Sequence, residues 1–245
     1  MIWRVIKIIL ILLLPMYLIA AYVYAQYKYR EEVCDNIKVI LLNQKQHQYL
    51  SEGDILKIVS DNKLAGIGEN IEKINLNKIE QTIQNNPIIK NNECYKTTSG
   101  EVVIEVEQRI PVLRVITPTT SYYIDEDRKK LPLSEKILAY LPVATGNIKD
   151  EFAQNELYDF VQYLKENKKW ENQIEQIVVT GSEEIELIPR IGKQLILFGK
   201  MSNFEEKFNS LELLYSQVFN TTGWNYYNKI NLRYDGKIIC TKNIQ

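Results

Sequence analysis

The side chains best suited to chemistry in this 245-residue chain are scattered, and their spacing assembles no reaction centre. The single histidine, His47, lies in the polar run Asn43-Gln44-Lys45-Gln46-His47-Gln48. A general base needs a positioning partner and a pocket; the neighbouring sequence offers neither, so His47 reads as an exposed loop residue. Asp125-Glu126-Asp127 could hold a calcium ion, but further oxygen ligands do not follow at loop spacing, and a solvated turn is the simpler reading. Glu183, Glu184 and Glu186 could suggest paired carboxylates; their imperfect alternation reads instead as the charged end of a strand. No GxSxG, HExxH, P-loop or GxGxxG spacing occurs. The chain is therefore expected to have no catalytic, metal-binding or cofactor-binding residues and to work by binding. Its 30 basic and 31 acidic residues leave no broad positive footprint for nucleic acid.

The segment that positions everything else comes first. From Ile8 through Leu14 and Ala21 to Ala25 the chain is apolar and uncharged. As a helix this run rises about 27 Å, close to the ~30 Å hydrocarbon core of a bilayer. Pro15 falls mid-run, where membrane helices tolerate it. Arg4 and Lys7 precede the run and Lys28 and Arg30 follow it, so the flanking charges are nearly balanced. A short N-terminal tail is most easily kept in the cytoplasm, which exports the C-terminal part. Trp3, Tyr22 and Tyr24 read as interfacial anchors. A cleaved signal peptide is the rival reading, since Val23-Tyr24-Ala25 leaves small residues where a signal peptidase reads; the length of the run and its tyrosines favour an anchor. In an exported compartment Cys34, Cys94 and Cys240 allow at most one internal bridge. Cys34–Cys94 is the first pairing to test, and three small buried hydrophobes is the alternative.

Beyond the anchor, periodicity predicts an α+β chain. Asp35 to Leu42 reads as a strand, and Ser51 with Asp54 as a capping box opening a helix that carries Ile55, Ile58 and Val59. A second helix carries Leu76, Ile79 and Ile83 and stops at Asn85-Asn86-Pro87. Strands over 88–96 and 101–107 complete a β-α-α-β-β unit. After Pro111 short strands follow over 112–116, 121–125, 131–133 and 139–143. Then come a helix over 150–167, strands over 173–180, 184–189 and 194–198, and a helix over 203–219. One or two strands between Asn231 and Thr241 close the chain around Asp235-Gly236.

The run Ile88 to Val115 resembles the end of the POTRA domain, and the joint after it, in the FtsQ/DivIB family of bacterial division proteins. Gln108-Arg109-Ile110-Pro111 fills the family's polar-Arg, apolar-Pro step. Tyr122-Tyr123-Ile124-Asp125 with Leu131-Pro132 is similar to its aspartate turn, and Leu141 to Gly146 to its apolar-Pro element. Gly192 to Gly199 with Lys207 is similar to its strand-Gly-helix segment, and Ile230-Asn231-Leu232-Arg233-Tyr234-Asp235-Gly236 to its terminal strand. Two places depart from the pattern. Ile40-Leu41-Leu42-Asn43 lacks the glycine often found there, and Ser182-Glu183-Glu184 stands where some relatives carry a basic partner-contacting residue.

The resemblance implies three parts: a cytoplasmic tail and transmembrane anchor over 1–30, a POTRA-like domain over 31–108, and a mixed β domain with two helices over 109–245. It also implies a single-pass inner-membrane protein with its C-terminal domain in the periplasm, enriched at the division septum. Its implied partners are FtsB/FtsL-like single-span proteins and other divisome subunits. Arg233, Tyr234, Gly236, Ile238 and Ile239 are the expected partner-binding residues, an open sheet edge accepting an extended segment. Tyr234 and Ile239 filling the protein's own core is the competing reading. The strand over 89–96 is a second candidate edge. Two other functions remain open at this point: a POTRA-bearing envelope assembly or secretion protein, and an anchored exported enzyme.

Overall fold

The computed structural model describes residues 3, 13–24, 32–43, 49–134, 136–137, 141–181, 183–234 and 236–243. Residues 13–24 are helical and exposed, and Leu14 and Ala21 lie on that helix. Ile8, Ala25 and His47 fall outside the described residues. Among the described residues no helix is long and apolar enough to cross a membrane. The chain divides into two compact units, Met1–Gln108 and Arg109–Gln245.

The first unit contains β1 (Asn36–Leu41), α1 (Glu52–Asp61), a 3-10 turn at Ile71–Lys73, α2 (Leu76–Gln84), β2 (Ile89–Lys96) and β3 (Glu101–Gln108). Strand β3 is central, parallel to β1 and antiparallel to β2. The capping box forms: the Asp54 N–H donates to Ser51 Oγ at 3.2 Å and the Ser51 N–H to Asp54 Oδ2 at 2.9 Å. Asn75 caps α2 by accepting from the Lys78 N–H. Ile55 and Val59 of α1 and Ile79 and Ile83 of α2 are fully buried, with Val102, Ile104 and Val106 of β3. At the end of β3, Gln108 is buried and its Oε1 accepts from the backbone N–H groups of Tyr49 and Leu50. This amide thereby ties the start of α1 to the central strand.

Of the two readings of the cysteines, the structure has free thiols: Cys34 and Cys94 are buried, Cys240 is half-buried, and no Cys34–Cys94 bridge joins them. Asp35, beside Cys34, bonds to Gly100 on one side of β3, while Cys94 pairs with Ile104 on the other. Two ladder spacings of about 4.8 Å each separate the flanking strands. A disulfide needs Cα atoms within roughly 7 Å.

The second unit is built on one nine-stranded sheet in the order β12-β11-β10-β9-β8-β7-β4-β5-β6. Its strands are β4 (Pro111–Ile116), β5 (Ser121–Asp125), β6 (Lys130–Pro132), β7 (Val143–Gly146), β8 (Ile174–Val179), β9 (Ile185–Pro189), β10 (Leu195–Gly199), β11 (Tyr227–Asn231) and β12 (Ile239–Lys242). Helices α3 (Asp150–Gln154), α4 (Glu156–Glu166) and α5 (Lys168–Glu171) connect β7 to its parallel neighbour β8. Helix α6 (Phe204–Leu214), a π-helical turn at Tyr215–Phe219 and α7 (Asn220–Thr222) connect β10 to the parallel β11. Phe160, Trp170, Phe198, Phe208 and Phe219 meet in one aromatic core with the buried strand residues Leu113, Ile177, Leu187, Ile196 and Ile230.

Three boundaries differ from the sequence expectation. Strand β7 starts at Val143 instead of ending there, because Pro142 has no N–H for a ladder. The helix expected over 150–167 is interrupted at Asn155, whose backbone leaves the helical region at φ −113, ψ −91 while its N–H and its Nδ2 both donate to Glu151 O. The close of the chain, expected as one or two strands around Asp235-Gly236, is the two-stranded hairpin β11–β12, but its first strand starts at Tyr227 and not at Asn231.

Candidate functional site

The β11–β12 hairpin forms one end of the large sheet, so β12 has a single strand neighbour. The Asn243 N–H donates to Tyr226 O at 2.9 Å, which fixes the alternation along β12. Residues 239 and 241 turn their backbone groups towards β11; Cys240 and Lys242 turn theirs to the open side. The side chains alternate too: Ile238 and Cys240 lean on the core, and Ile239 stands half exposed at 50%. Of the expected residues only Ile239 is on a strand; Arg233, Tyr234, Gly236 and Ile238 lie on the connection. Tyr234 is 56% exposed, so neither it nor Ile239 fills the protein's own core. The Lys237 N–H donates to Tyr234 O and Gly236 has φ +66, closing a tight turn there. Asp235 lies outside the described residues.

Arg233 is not a free guanidinium. Its Nε lies 3.1 Å from Glu184 Oε2 and its Nη2 3.8 Å from Glu186 Oε1, two carboxylates flanking the start of β9. To reach them the side chain crosses Gly199 at the end of β10. A Cβ on Gly199 would stand 2.9 Å from Arg233 Cγ, and its φ of +80 also suits glycine alone. Glu184 and Glu186 thus hold the guanidinium over the sheet and away from the β12 edge. Of the run Ser182-Glu183-Glu184 singled out in the sequence, Glu184 serves this internal ion pair. Lys207, on α6, donates to Phe198 O at 3.0 Å and Lys200 O at 2.8 Å. Those bonds satisfy carbonyls at the end of β10 and account for a lysine in the strand-Gly-helix segment.

Two other sheet edges are blunted. At the far end of the same sheet β6 is three residues long and ends in Pro132. In the first unit β2 is an edge strand, but α2 covers it: the Cys94 N–H donates to Glu80 Oε1 at 2.8 Å, and Gln84 Nε2 reaches the carbonyls of Ile89 and Lys90. The second candidate edge is therefore already occupied in part.

The family model described as FtsQ/DivIB, C-terminal related, matches residues 110–241. The chain belongs to the FtsQ/DivIB family. A POTRA-like domain model matches residues 32–107. No curated protein matches the chain. FtsQ/DivIB membership gives the protein a role in cell division, and domains of these two kinds are typically non-enzymatic scaffolds.

The family's polar-Arg step and aspartate turn now have a structural meaning. Asp125 is only 1% exposed; its Oδ2 accepts from Arg109 Nη1 at 2.8 Å and its Oδ1 from the N–H groups of Asp127 and Lys129. The expected solvated turn at 125–127 is instead organised around a buried carboxylate that is paired on both oxygens. Among the described residues no group of His, Cys, Asp or Glu could hold a metal ion. Burial raises the pKa values of Cys34 and Cys240, and pushes Cys94 up to about 12 with help from Glu80 and Glu93, so these thiols are poor nucleophiles. Sequence reasoning missed Glu184, Glu186 and Gly199 as partners of Arg233. The signal in sequence was weak, a lone glycine ending an apolar strand and two acidic residues two apart.

Proposed function

We propose that this FtsQ/DivIB protein is a single-pass inner-membrane scaffold, anchored through the apolar run 8–25, that binds FtsB/FtsL-like single-span proteins and helps coordinate septal peptidoglycan synthesis. The observation that carries the reading is the open edge of β12 with Ile239 and Tyr234 exposed beside it. An extended partner segment would bond to the outward backbone groups of Cys240 and Lys242, and side-chain pockets would set specificity. Tyr234 offers a large ring and a hydroxyl at low entropic cost. Gly236 shapes the turn that presents it, and Ile238 braces the connection against the core. Arg233 would take part only if a partner exchanged with Glu184 and Glu186.

The test is co-purification of the FtsB/FtsL-like pair from the same genome with the full-length protein, with and without residues 237–245. The cut is placed there because Ile230 and Leu232 are buried and belong to the fold. Loss of the pair on truncation supports the reading; full retention removes β12 as the docking edge. A fluorescent fusion should form a mid-cell ring in dividing cells, and an even envelope signal would contradict the septal role.

A further inference from the structure

Ile67 is the most exposed large apolar side chain among the described residues beyond 24, at 73%. It sits at the tip of a turn between Gly66 and Gly68; the φ of +86 at Gly68 and the open space around it let the chain reverse there. The turn is strapped by backbone to the first described residues after the apolar run. The Cys34 N–H donates to Glu69 O at 2.7 Å, the Gly68 N–H to Cys34 O at 2.8 Å and the Ile71 N–H to Glu32 O at 3.0 Å, with a bridge between Val33 and Asn70. Val33, on that strap, is itself 44% exposed. Ile67 is thus held beside residues 32–34, at the start of β1 and not at its far end.

Only seven residues separate Tyr24 from Glu32, a reach of at most about 29 Å even when fully extended. That stretch carries Tyr27, Lys28, Tyr29 and Arg30, continuing the interfacial pattern of Tyr22 and Tyr24. We infer that the Gly66-Ile67-Gly68 turn, with Val33, rests on the lipid surface as a second, non-covalent contact that orients the POTRA-like unit; this rests on the reading of residues 8–25 as a membrane anchor. Glu32, Asp35 and Glu69 flank the turn, so the contact is apolar and does not depend on anionic lipid.

The test uses the full-length protein in neutral phosphatidylcholine vesicles, with Cys240→Ser removing the half-buried thiol and Cys34 and Cys94 left buried. An environment-sensitive fluorophore is placed at Ile67→Cys, and separately at Leu42→Cys, 59% exposed just past the opposite end of β1. The expected result is a blue-shifted emission at 67, quenched several-fold more strongly by nitroxide lipids than the emission at 42. If the two labels behave alike while the protein floats with the vesicles after an alkaline wash, the inference is overturned and the anchor stands. If the protein does not float with the vesicles, the anchor reading falls and the surface contact falls with it.

Discussion

Charged and polar side chains in this protein are spent on holding strands and turns in place, and Asp125 shows the magnitude involved. Removing its partner in Arg109→Ala leaves a carboxylate buried without its cation, which should cost about 3–5 kcal/mol in urea unfolding. Arg109→Lys should recover only part of that, because a point charge replaces a planar fork. At Cys94 the pKa is pushed up from 9.0 to about 12, so the folded state holds its proton more tightly than the unfolded chain does. That contribution to stability is fully present below pH ~9 and is lost as pH rises towards ~12. Two measurements check it: native Cys94 should resist alkylation at pH 8, and Cys94→Ala should flatten the alkaline fall in unfolding free energy. Which polar residues would be structural was only partly legible. Ser51 and Asp54 announce their capping box because both partners lie within one turn. Gln108 binds the backbone at 49–50, and Arg233 binds Glu184 and Glu186; no local pattern reports contacts between such distant residues.

At the scale of elements, local rules did well where one segment decides its own fate. The β-α-α-β-β order, the cap of α1 and the stop of α2 all follow from short-range chemistry. Ser51→Ala should lower stability by about 1 kcal/mol, measured by chemical denaturation. Boundaries failed where one residue interrupts the backbone pattern, as at Pro142, which lacks an N–H, and at Asn155, which leaves the helical region. At the closing hairpin the reversal around Asp235-Gly236 was legible, and the start of the first strand was not, since β11 begins at Tyr227 and not at Asn231. Gly199 belongs at this scale because it lets Arg233 cross β10. Gly199→Ala should break the ion pair as well as strain the backbone, lowering the melting temperature by more than Glu184→Gln does.

For the whole molecule, the sequence pattern of β-α-α-β-β followed by a mixed sheet resembled a division-protein family, and the match over residues 110–241 shows that family. The pattern could not reveal which strand edges stay open, since that depends on topology. Strand β12 is an edge because β11 joins β10 in parallel through α6 and leaves the last strand on the outside. The docking account therefore turns on one backbone group. In β12 the Cys240 N–H faces away from β11, so proline there removes a donor from the open side while the ladder to β11 keeps its own bonds. The decisive measurement is capture of the FtsB/FtsL-like pair by full-length Cys240→Pro against Cys240→Ser, with melting temperatures recorded for both. The account predicts that the serine variant binds as the parent does and that the proline variant, still folded, loses the pair. Equal capture by two folded variants would contradict it.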